Sequence, residues 1–322
     1  MCLYPKLIDN KKYKPNKKNN FNPPPLKDIR ISKVAVGCGK CLECRKQKAR
    51  EWQVRLHEEI KDHKFAYGVT FTFSCEELEK LCKEIGLKEC NAVATKAVRR
   101  FLERWRKTYK KSLVHWFITE LGHENTERIH LHGIIFADNE LEPEKIASHW
   151  KYGNIHINDY CNEKTVNYLI KYVHKIDTDH KEYQPVVLCS KGIGKRYLMT
   201  FHAQNAHAYK PNNTIEYYRL NNGVKVNLPT YYRNKLWTED EREQLWVERI
   251  EKGERYVLGI KIADFDTKEG YARYMRILER AQETNKKLGF GDDTAKWKKR
   301  DYNVTLHMLN KFAKIKNKNL IK

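Results

Sequence analysis

The alternation of apolar and polar positions predicts strands in the middle of the chain. Residues 65–73 are mostly β-branched and aromatic, which is typical of a strand. Residues 114–120 and 129–136 have the same character and flank a polar segment, 122–127, that predicts a turn. Such a hairpin is antiparallel, so the pattern favours an α+β fold over a parallel doubly wound sheet. A further short strand is predicted over 153–158.

Helical periodicity surrounds these strands. A helix is predicted from Leu42, with one apolar stripe formed by Ala49, Trp52, Leu56 and Ile60. Ser74 and Glu77 have the spacing of a capping box for a short helix that ends at Gly86. Asn91 is predicted to cap the helix that follows. Other helices are predicted over residues 141–150, 163–176, 237–252 and 266–288.

The two ends of the chain differ from its middle. Residues 10–30 are rich in Lys, Asn and Pro and predict an extended or mobile arm, and residues 311–322 predict a basic tail. We therefore expect three regions. Residues 1–60 would hold a cysteine cluster and a basic helix, residues 61–200 the α+β domain, and residues 201–322 a basic, mostly helical region.

Charge and cysteine usage narrow the classes of function. The 322 residues carry 63 Lys and Arg against 41 Asp and Glu, a net charge of +22, which favours a polyanionic partner without saying which one. The apolar stretches are too short to cross a bilayer, and the first residues lack the apolar core of a signal peptide. We therefore expect a cytoplasmic protein with no membrane partner. Its nine cysteines would then be reduced thiols or metal ligands.

Two histidines, His130 and His132, lie two positions apart in a predicted strand. Side chains at this spacing point to the same face, so both imidazoles can reach one ion. If the hairpin pairs symmetrically about Asn125, Glu120 lies opposite His130. A carboxylate with two imidazoles suits Mn²⁺ or Mg²⁺ and leaves coordination positions open for a phosphate oxygen. The alternative is a pair of polar histidines on a solvent-facing hairpin.

The helix predicted over residues 163–176 has two distinct faces. Its apolar face is formed by Val166, Leu169, Ile170, Val173 and Ile176. The opposite face carries Tyr168, Lys171, Tyr172 and Lys175, with the two tyrosines one turn apart. A free phenol has a pKa of about 10, and neighbouring ammonium groups favour its nucleophilic phenolate form and can hold a phosphate. The alternative is an ordinary amphipathic helix with a solvated Tyr/Lys face.

Three cysteines with regular spacing, Cys38, Cys41 and Cys44, form a tight cluster, and Cys2 is a candidate fourth ligand. The Cys38–Cys41 segment resembles a zinc knuckle, in which the glycine lets backbone amides turn toward sulfur. The cluster therefore predicts a structural Zn²⁺ site, with free thiols as the alternative. The remaining cysteines are scattered and are interpreted as packing residues.

These pieces, in this order, resemble the HUH endonuclease superfamily. The strand with two histidines and the helix with a doubled Tyr-x-x-Lys look like its two-tyrosine branch. Further segments are similar to the replication initiation proteins of gokushoviruses (Microviridae). They are residues 36–45 (VGCGKCLECR), 119–122 (TELG), 128–136 (RIHLHGIIF), 190–195 (SKGIGK) and 228–232 (LPTYY). The resemblance covers about residues 1–235.

The resemblance implies roles for these residues. It makes residues 61–200 an HUH catalytic domain with a central antiparallel sheet and flanking helices. His130, His132 and Glu120 would be ligands of a catalytic Mg²⁺ or Mn²⁺. Tyr168 and Tyr172 would be the paired nucleophiles. Lys171 and Lys175 would be the assisting cations.

The implied function is rolling-circle replication. One tyrosine would nick a single-stranded DNA origin, become 5′-phosphotyrosyl and leave a 3′-OH that primes synthesis. Host helicase and polymerase would be partners, in the cytoplasm of a bacterial host. The sequence has no Walker-type loop, so unwinding by a P-loop motor would need another protein. The cysteine-bearing segment and the basic C-terminal region are expected to contact DNA.

Two other classes of function remain open from the residues alone. A non-catalytic, zinc-containing nucleic-acid-binding protein would explain the charge and the cysteines but not the tyrosine helix. A metal-free phosphoesterase would need a hydroxyl residue shortly after each of two histidines. Leu131-His132-Gly133 supplies none, and neither does His156-Ile157-Asn158.

Overall fold

In a computed structural model, the structure describes residues 2–86, 89–122, 127–158, 160–177, 179–180, 183–265, 267–292 and 299–320. Most of the predicted hairpin turn therefore lies outside the described residues, as do residue 266 at a predicted helix start and residues 321–322 of the predicted tail. In chain order the strands and helices are β1 (Lys6–Asp9), β2 (Lys33–Val36), α1 (Leu42–Asp62), β3 (Phe65–Phe71), α2 (Cys75–Ile85), α3 (Cys90–Tyr109), β4 (Val114–Leu121), β5 (Ile129–Ala137), α4 (Pro143–Ala147), β6 (Ile155–Asn158), α5 (Glu163–His174), β7 (Val187–Cys189), α6 (Phe201–Ala206), β8 (Tyr217–Arg219), β9 (Lys225–Asn227), α7 (Thr230–Leu236), α8 (Glu239–Glu251), β10 (Arg255–Val257), β11 (Ile260–Ile262), α9 (Lys268–Lys287) and α10 (Lys299–Leu320).

The chain divides into two compact units. The sheet unit comprises Lys48–Gln204 and Tyr217–Tyr232, and the terminal unit comprises Met1–Gln47, Asn205–Glu216 and Arg233–Lys322. The N-terminal and C-terminal segments of the chain thus fall in the same unit. Within the described ranges, no helix is long and apolar enough to span a membrane.

The sheet unit is built on five antiparallel strands in the order β6-β3-β5-β4-β7. Strand β5 lies in the middle and pairs with both β3 and β4. Its register with β4 places Glu120 opposite His130, as the symmetric hairpin predicts. Its register with β3 places Thr70 opposite His132. The predicted α+β fold with a central antiparallel sheet and flanking helices is confirmed.

The two faces of this sheet bury different sets of side chains, because successive residues of a strand point in opposite directions. One face packs against α2 and α3 and includes the buried residues Phe71, Phe101, Phe117 and Leu131. On the other face, Trp116, Ile118 and Ile134 pack against α1 and α5. His130 and His132 belong to this second face, because they are an even number of residues from Ile134. Helix α5 is therefore packed on the face that carries both histidines.

The predicted arm is wrong, because the segment makes specific contacts with α8. Lys12 Nζ lies 2.7 Å from Asp240 Oδ1 and 3.0 Å from Glu243 Oε2. The Tyr13 hydroxyl donates to Glu243 Oε2 at 2.8 Å. Short 3₁₀ helices at Lys11–Tyr13, Lys17–Asn19 and Ile29–Ser32 shape the segment. The acidic first half of α8 provides partners that are more than two hundred residues away, which local composition does not reveal.

The predicted cap of α3 is also wrong. Glu89 takes the cap position, and its carboxylate accepts hydrogen bonds from the backbone N–H groups of Asn91 and Ala92. The Asn91 side chain instead accepts from the Thr119 hydroxyl at 2.7 Å and the Tyr183 hydroxyl at 3.1 Å. These two tertiary contacts outcompete local capping. The Ser74 cap and the Gly86 end of α2 are as predicted.

The terminal unit has its own apolar core. Strands β1 and β2 pair antiparallel, and β10 and β11 form a hairpin. The core of α9 and the hairpin includes Leu3, Tyr4, Val257, Ile262, Phe265, Tyr274, Leu278 and Ala281. Asn285 of α9 is fully buried, and its Oδ1 accepts from the first backbone N–H of α1, at Leu42, at 2.8 Å. The predicted basic tail is part of helix α10.

Candidate metal centre and tyrosine pair

Glu120, His130 and His132 form one cluster on the α5 side of the sheet. His130 Nε2 lies 3.2 Å and His132 Nε2 lies 3.0 Å from the same carboxylate oxygen, Oε2 of Glu120. One ligand atom of each residue lies within 4.8 Å of the others, and the side chains are 15% to 21% exposed. The strand register brings these three residues together, and the pocket they form remains open to solvent.

The spacing of these atoms fits a small hard cation. Mg²⁺ binds ligands octahedrally at about 2.0–2.1 Å, so neighbouring ligand atoms are about 3 Å apart. The two nitrogen–oxygen distances of 3.2 and 3.0 Å match this spacing. The His130 tautomer also fits, because Nδ1 faces the carbonyl oxygen of Arg128 at 3.3 Å and must carry the proton. Nε2 of a neutral ring then presents a lone pair toward the Glu120 carboxylate, an arrangement that favours a cation between them.

Glu120 stays ionised over the whole physiological range. Burial by itself would raise the pKa of this carboxyl, but hydrogen bonds with His130 and His132 outweigh that effect and lower the pKa to about 2. Lys175 also approaches, with Nζ 3.4 Å from Oε1 of Glu120. The cluster therefore offers one permanent negative charge and two imidazoles.

Helix α5 carries the two tyrosines to this cluster. It begins after Asn162, whose side chain accepts from the backbone N–H groups of Lys164 and Thr165 in a reciprocal capping box. Its buried residues, Val166, Leu169, Ile170 and Val173, pack into the apolar core on the histidine face of the sheet. Fully burying a side chain of this size contributes about 1.5–3 kcal/mol. These apolar residues fix which side of the helix faces the sheet.

The Tyr172 ring lies directly on the His132 ring, with centroids 4.6 Å apart and planes inclined by 6°. Its hydroxyl donates to the Tyr168 hydroxyl at 2.7 Å, so the two phenol oxygens are adjacent. Burial, the bond to Tyr168 and the charge of Glu120 together raise the pKa of Tyr172 well above its usual value. Tyr168 is 53% exposed and lies on the solvent side of the pair.

The two lysines predicted beside the tyrosines make different contacts. Lys171 Nζ lies 5.5 Å from the centroid of the Tyr168 ring, a cation–π distance. Lys175 is the residue after the last turn of α5, and its backbone is extended there. The departure from helical geometry accompanies the contact of Lys175 with Glu120 described above.

Thr70 is a residue of this site that the sequence patterns did not single out. Its hydroxyl lies 3.1 Å from Nδ1 of His132, on the ring nitrogen that faces away from Glu120. The β3–β5 register is the signal that finds it, because Thr70 is the direct partner of His132. A cleft of about 480 Å³ opens beside His130, between the ends of β3 and β5 and the loop before β6.

A second cluster gathers all four predicted cysteine ligands. Cys2, Cys38, Cys41 and Cys44 each place their sulfur within 4.8 Å of the other three. This cluster belongs to the terminal unit, whereas the carboxylate–imidazole cluster belongs to the sheet unit. The structure thus holds two separate groups of potential metal ligands, and they differ in donor chemistry.

Comparison with known proteins gives two matches. Residues 66–177 match the model of a family of replication-associated proteins, described as ORF2 or gene 2 protein. The chain is also 24% identical over 245 residues to the replication-associated protein VP4 of Bdellovibrio phage phiMH2K, which covers 68% of this chain and 72% of that protein. No solved structure matches the chain significantly.

These matches confirm the predicted resemblance to phage replication initiators. The matched family segment runs from β3 to just beyond α5. It therefore contains both histidines, the glutamate and both tyrosines of the candidate site.

Proposed function

We propose that this chain, which resembles phage replication-associated proteins, nicks and rejoins single-stranded DNA at a viral origin in rolling-circle replication. The observation that carries this proposal is the contact of the Tyr172 ring with His132, with the Tyr168 hydroxyl adjacent. It places two phenol oxygens beside a cluster of metal-ligand type. A purely structural hairpin and a solvated helix face would not require this juxtaposition.

His130, His132 and Glu120 would hold the metal. Their mixed nitrogen and oxygen donors suit Mn²⁺ or Mg²⁺, and three protein ligands leave other coordination positions for water and substrate. When bound, the cation supplies Lewis-acid polarisation of a phosphodiester oxygen and offsets the charge that develops on it. It would also offset the Glu120 charge, which contributes to the raised pKa of Tyr172.

The reaction begins with attack of a tyrosine oxygen on the phosphorus of the origin phosphodiester. A phosphorus–oxygen bond to tyrosine forms, and the bond to the 3′ oxygen breaks. The phenolic proton is lost, and the 3′ oxygen takes up a proton to leave as a 3′-OH that can prime synthesis. Lys171 and Lys175 favour the ionised phenol and hold the phosphate.

The second tyrosine completes the cycle. It attacks the regenerated origin, while the free 3′-OH attacks the first phosphotyrosine, closes the circle and releases that tyrosine. Adjacent hydroxyls, 2.7 Å apart, suit this alternation because either can reach the same cluster through a small movement of α5 side chains.

Binding of the DNA would rest on the positive charge of the chain, which is +22. The cleft beside His130 has room for a nucleotide next to the scissile phosphate. Host helicase and polymerase, in the cytoplasm of a bacterial host, would unwind and extend the strand.

Metal-ligand variants test this function. Alanine at His130 or His132 should reduce cleavage of origin-containing single-stranded DNA by more than about 100-fold, the upper end of what loss of an outer-shell partner costs a metal site. DNA binding should be largely retained, because these imidazoles are not the source of the net charge. The matched control is His202→Ala, at an exposed position of α6, which should cleave normally.

Two outcomes would count against the proposal. Normal cleavage by His130→Ala or His132→Ala across a titration of Mn²⁺ would refute the ligand assignment. Binding without any cleavage by the unmodified chain, across several metals and a DNA pool containing the cognate origin, would favour a non-catalytic nucleic-acid-binding protein.

A further inference from the structure

Four thiols converge in the terminal unit from three places in the chain. Cys2 lies near the chain start, Cys38 lies in the loop after β2, and Cys41 and Cys44 lie at the start of α1. Their sulfur atoms all lie within 4.8 Å of one another, and the Cys2 and Cys41 sulfurs are 3.9 Å apart. Cys41 is buried and the others are half-buried.

This spacing is close to that of a tetrahedral zinc site. Zinc–sulfur bonds of about 2.3 Å in a tetrahedron place neighbouring sulfurs about 3.8 Å apart. The measured separation of 3.9 Å for Cys2 and Cys41 differs little from this value, and the remaining separations need only small adjustments. Two disulfides would need sulfur atoms about 2.0 Å apart, and all nine cysteines are free in this structure.

The backbone is also arranged to receive thiolates. The N–H groups of Tyr4 and Cys38 both donate to Cys2 Sγ at 3.2 Å. The N–H of Cys41 donates to Cys38 Sγ at 3.3 Å. Hydrogen bonds from N–H groups stabilise negative charge on sulfur, as the outer shell of a metal site does.

Two glycines make this arrangement possible. A β-carbon at Gly37 would lie 3.1 Å from Cys44 Sγ and 3.6 Å from Cys2 Cβ, so the backbone passes directly against the cluster there. Gly39 has a φ of +76°, which other residues adopt with strain. The loop between Cys38 and Cys41 can therefore turn its amides toward sulfur.

We propose that Cys2, Cys38, Cys41 and Cys44 bind one structural Zn²⁺ ion. Four protein thiolates fill a tetrahedral coordination shell and leave no position for substrate, which distinguishes the site from a catalytic one. The soft sulfur donors also select zinc over the hard cations that the Glu120 cluster favours. The two sites therefore take different metals and act independently.

The role of the ion follows from what the cysteines touch. Cys2, Cys38 and Cys44 pack against the apolar core that contains Leu3 and Tyr4. Gln282 of α9 donates to the Leu3 carbonyl at 2.8 Å, so the chain start is held against α9. Zinc would cross-link this start to the first turn of α1, and its binding free energy would contribute to folding of the terminal unit.

The first test is zinc content of the full chain, purified under reducing conditions and measured by elemental mass spectrometry. We expect about one zinc per chain. Cys38→Ser and Cys41→Ser should lose it, and the matched control Cys75→Ser, at an exposed thiol of α2, should retain it. Equal zinc content in the cluster variants and the control would overturn the proposal. The His130→Ala/His132→Ala double variant should also keep its zinc, which separates this site from the one proposed for catalysis.

A second test does not depend on the folding of any variant. The unmodified chain is stripped of metal and titrated with Co²⁺ in the absence of DNA. Four thiolates should give intense red ligand-field bands and near-ultraviolet sulfur-to-cobalt charge-transfer bands, and Zn²⁺ should abolish both by displacement. Only weak octahedral bands, with no charge-transfer absorption, would overturn the proposal even if the chain cleaved DNA normally.

Discussion

Replacing Thr70 with valine tests how the candidate metal centre is oriented. The Thr70 hydroxyl lies 3.1 Å from Nδ1 of His132, and Nε2 of the same ring lies 3.0 Å from Glu120 Oε2. The hydroxyl therefore positions the ring nitrogen that would face the metal. Losing such an outer-shell partner typically weakens metal binding about 10–100-fold. Valine keeps the shape of threonine, so we expect the Kd for Mn²⁺ to rise by that factor, which is about 1.4–2.7 kcal/mol of binding free energy.

Isothermal titration of Mn²⁺ into the full chain measures this effect. Thr72→Val is the matched control, since Thr72 lies beyond the same strand and its hydroxyl donates to the Asn154 carbonyl at 2.9 Å. Both variants lose one hydroxyl hydrogen bond, so each should lose about 1 kcal/mol of stability. Only Thr70→Val should bind Mn²⁺ more weakly. Equal Kd values for Thr70→Val and the unmodified chain would show that the hydroxyl does not orient the ligand.

Three further substitutions test the fold. Gly133→Ala would place a β-carbon in steric overlap with the Trp116 carbonyl oxygen in the middle of the sheet, so urea unfolding should show a loss of about 3 kcal/mol or more; a near-neutral change would contradict the β4–β5 packing. Asn285→Ala leaves a buried α1 N–H without its acceptor and should cost about 1–3 kcal/mol by the same measurement, whereas unchanged stability would argue against that bond. Hydrogen bonding to Glu59 raises the pKa of His63, so its stabilisation is complete below about pH 6.5 and is lost as pH rises through the raised value. The unmodified chain should therefore exceed His63→Gln in stability by more at pH 6 than at pH 9, and a pH-independent difference would refute this ion pair.

Much of the candidate site follows from short-range patterns. The two-residue spacing of His130 and His132 requires a shared face once the segment is a strand. Hairpin symmetry then suffices to place Glu120 opposite His130. The helical period likewise separates Tyr168 and Tyr172 from the apolar face of α5. These relations depend on local geometry alone, so the sequence contains them.

Other features depend on contacts between distant segments. Thr70 meets His132 only because β3 pairs with β5 in one particular register. Asn91 is drawn from its predicted capping role by hydroxyls of Thr119 and Tyr183, which lie 28 and 92 residues away. The lysine-rich arm is held by acidic residues of α8. In each case a tertiary partner outweighs the local preference, and no local pattern contains that partner.

Covalent capture tests the central claim most directly. The pure chain is incubated with Mn²⁺ and circular single-stranded DNA that contains the cognate origin, and a denaturing gel reveals any DNA attached to protein. The account predicts an adduct whose phosphate is linked to tyrosine, present in the unmodified chain and absent when Tyr168 and Tyr172 are both replaced by Phe. An adduct that persists in the double Phe variant would contradict the account, as would cleavage by that variant at the normal rate.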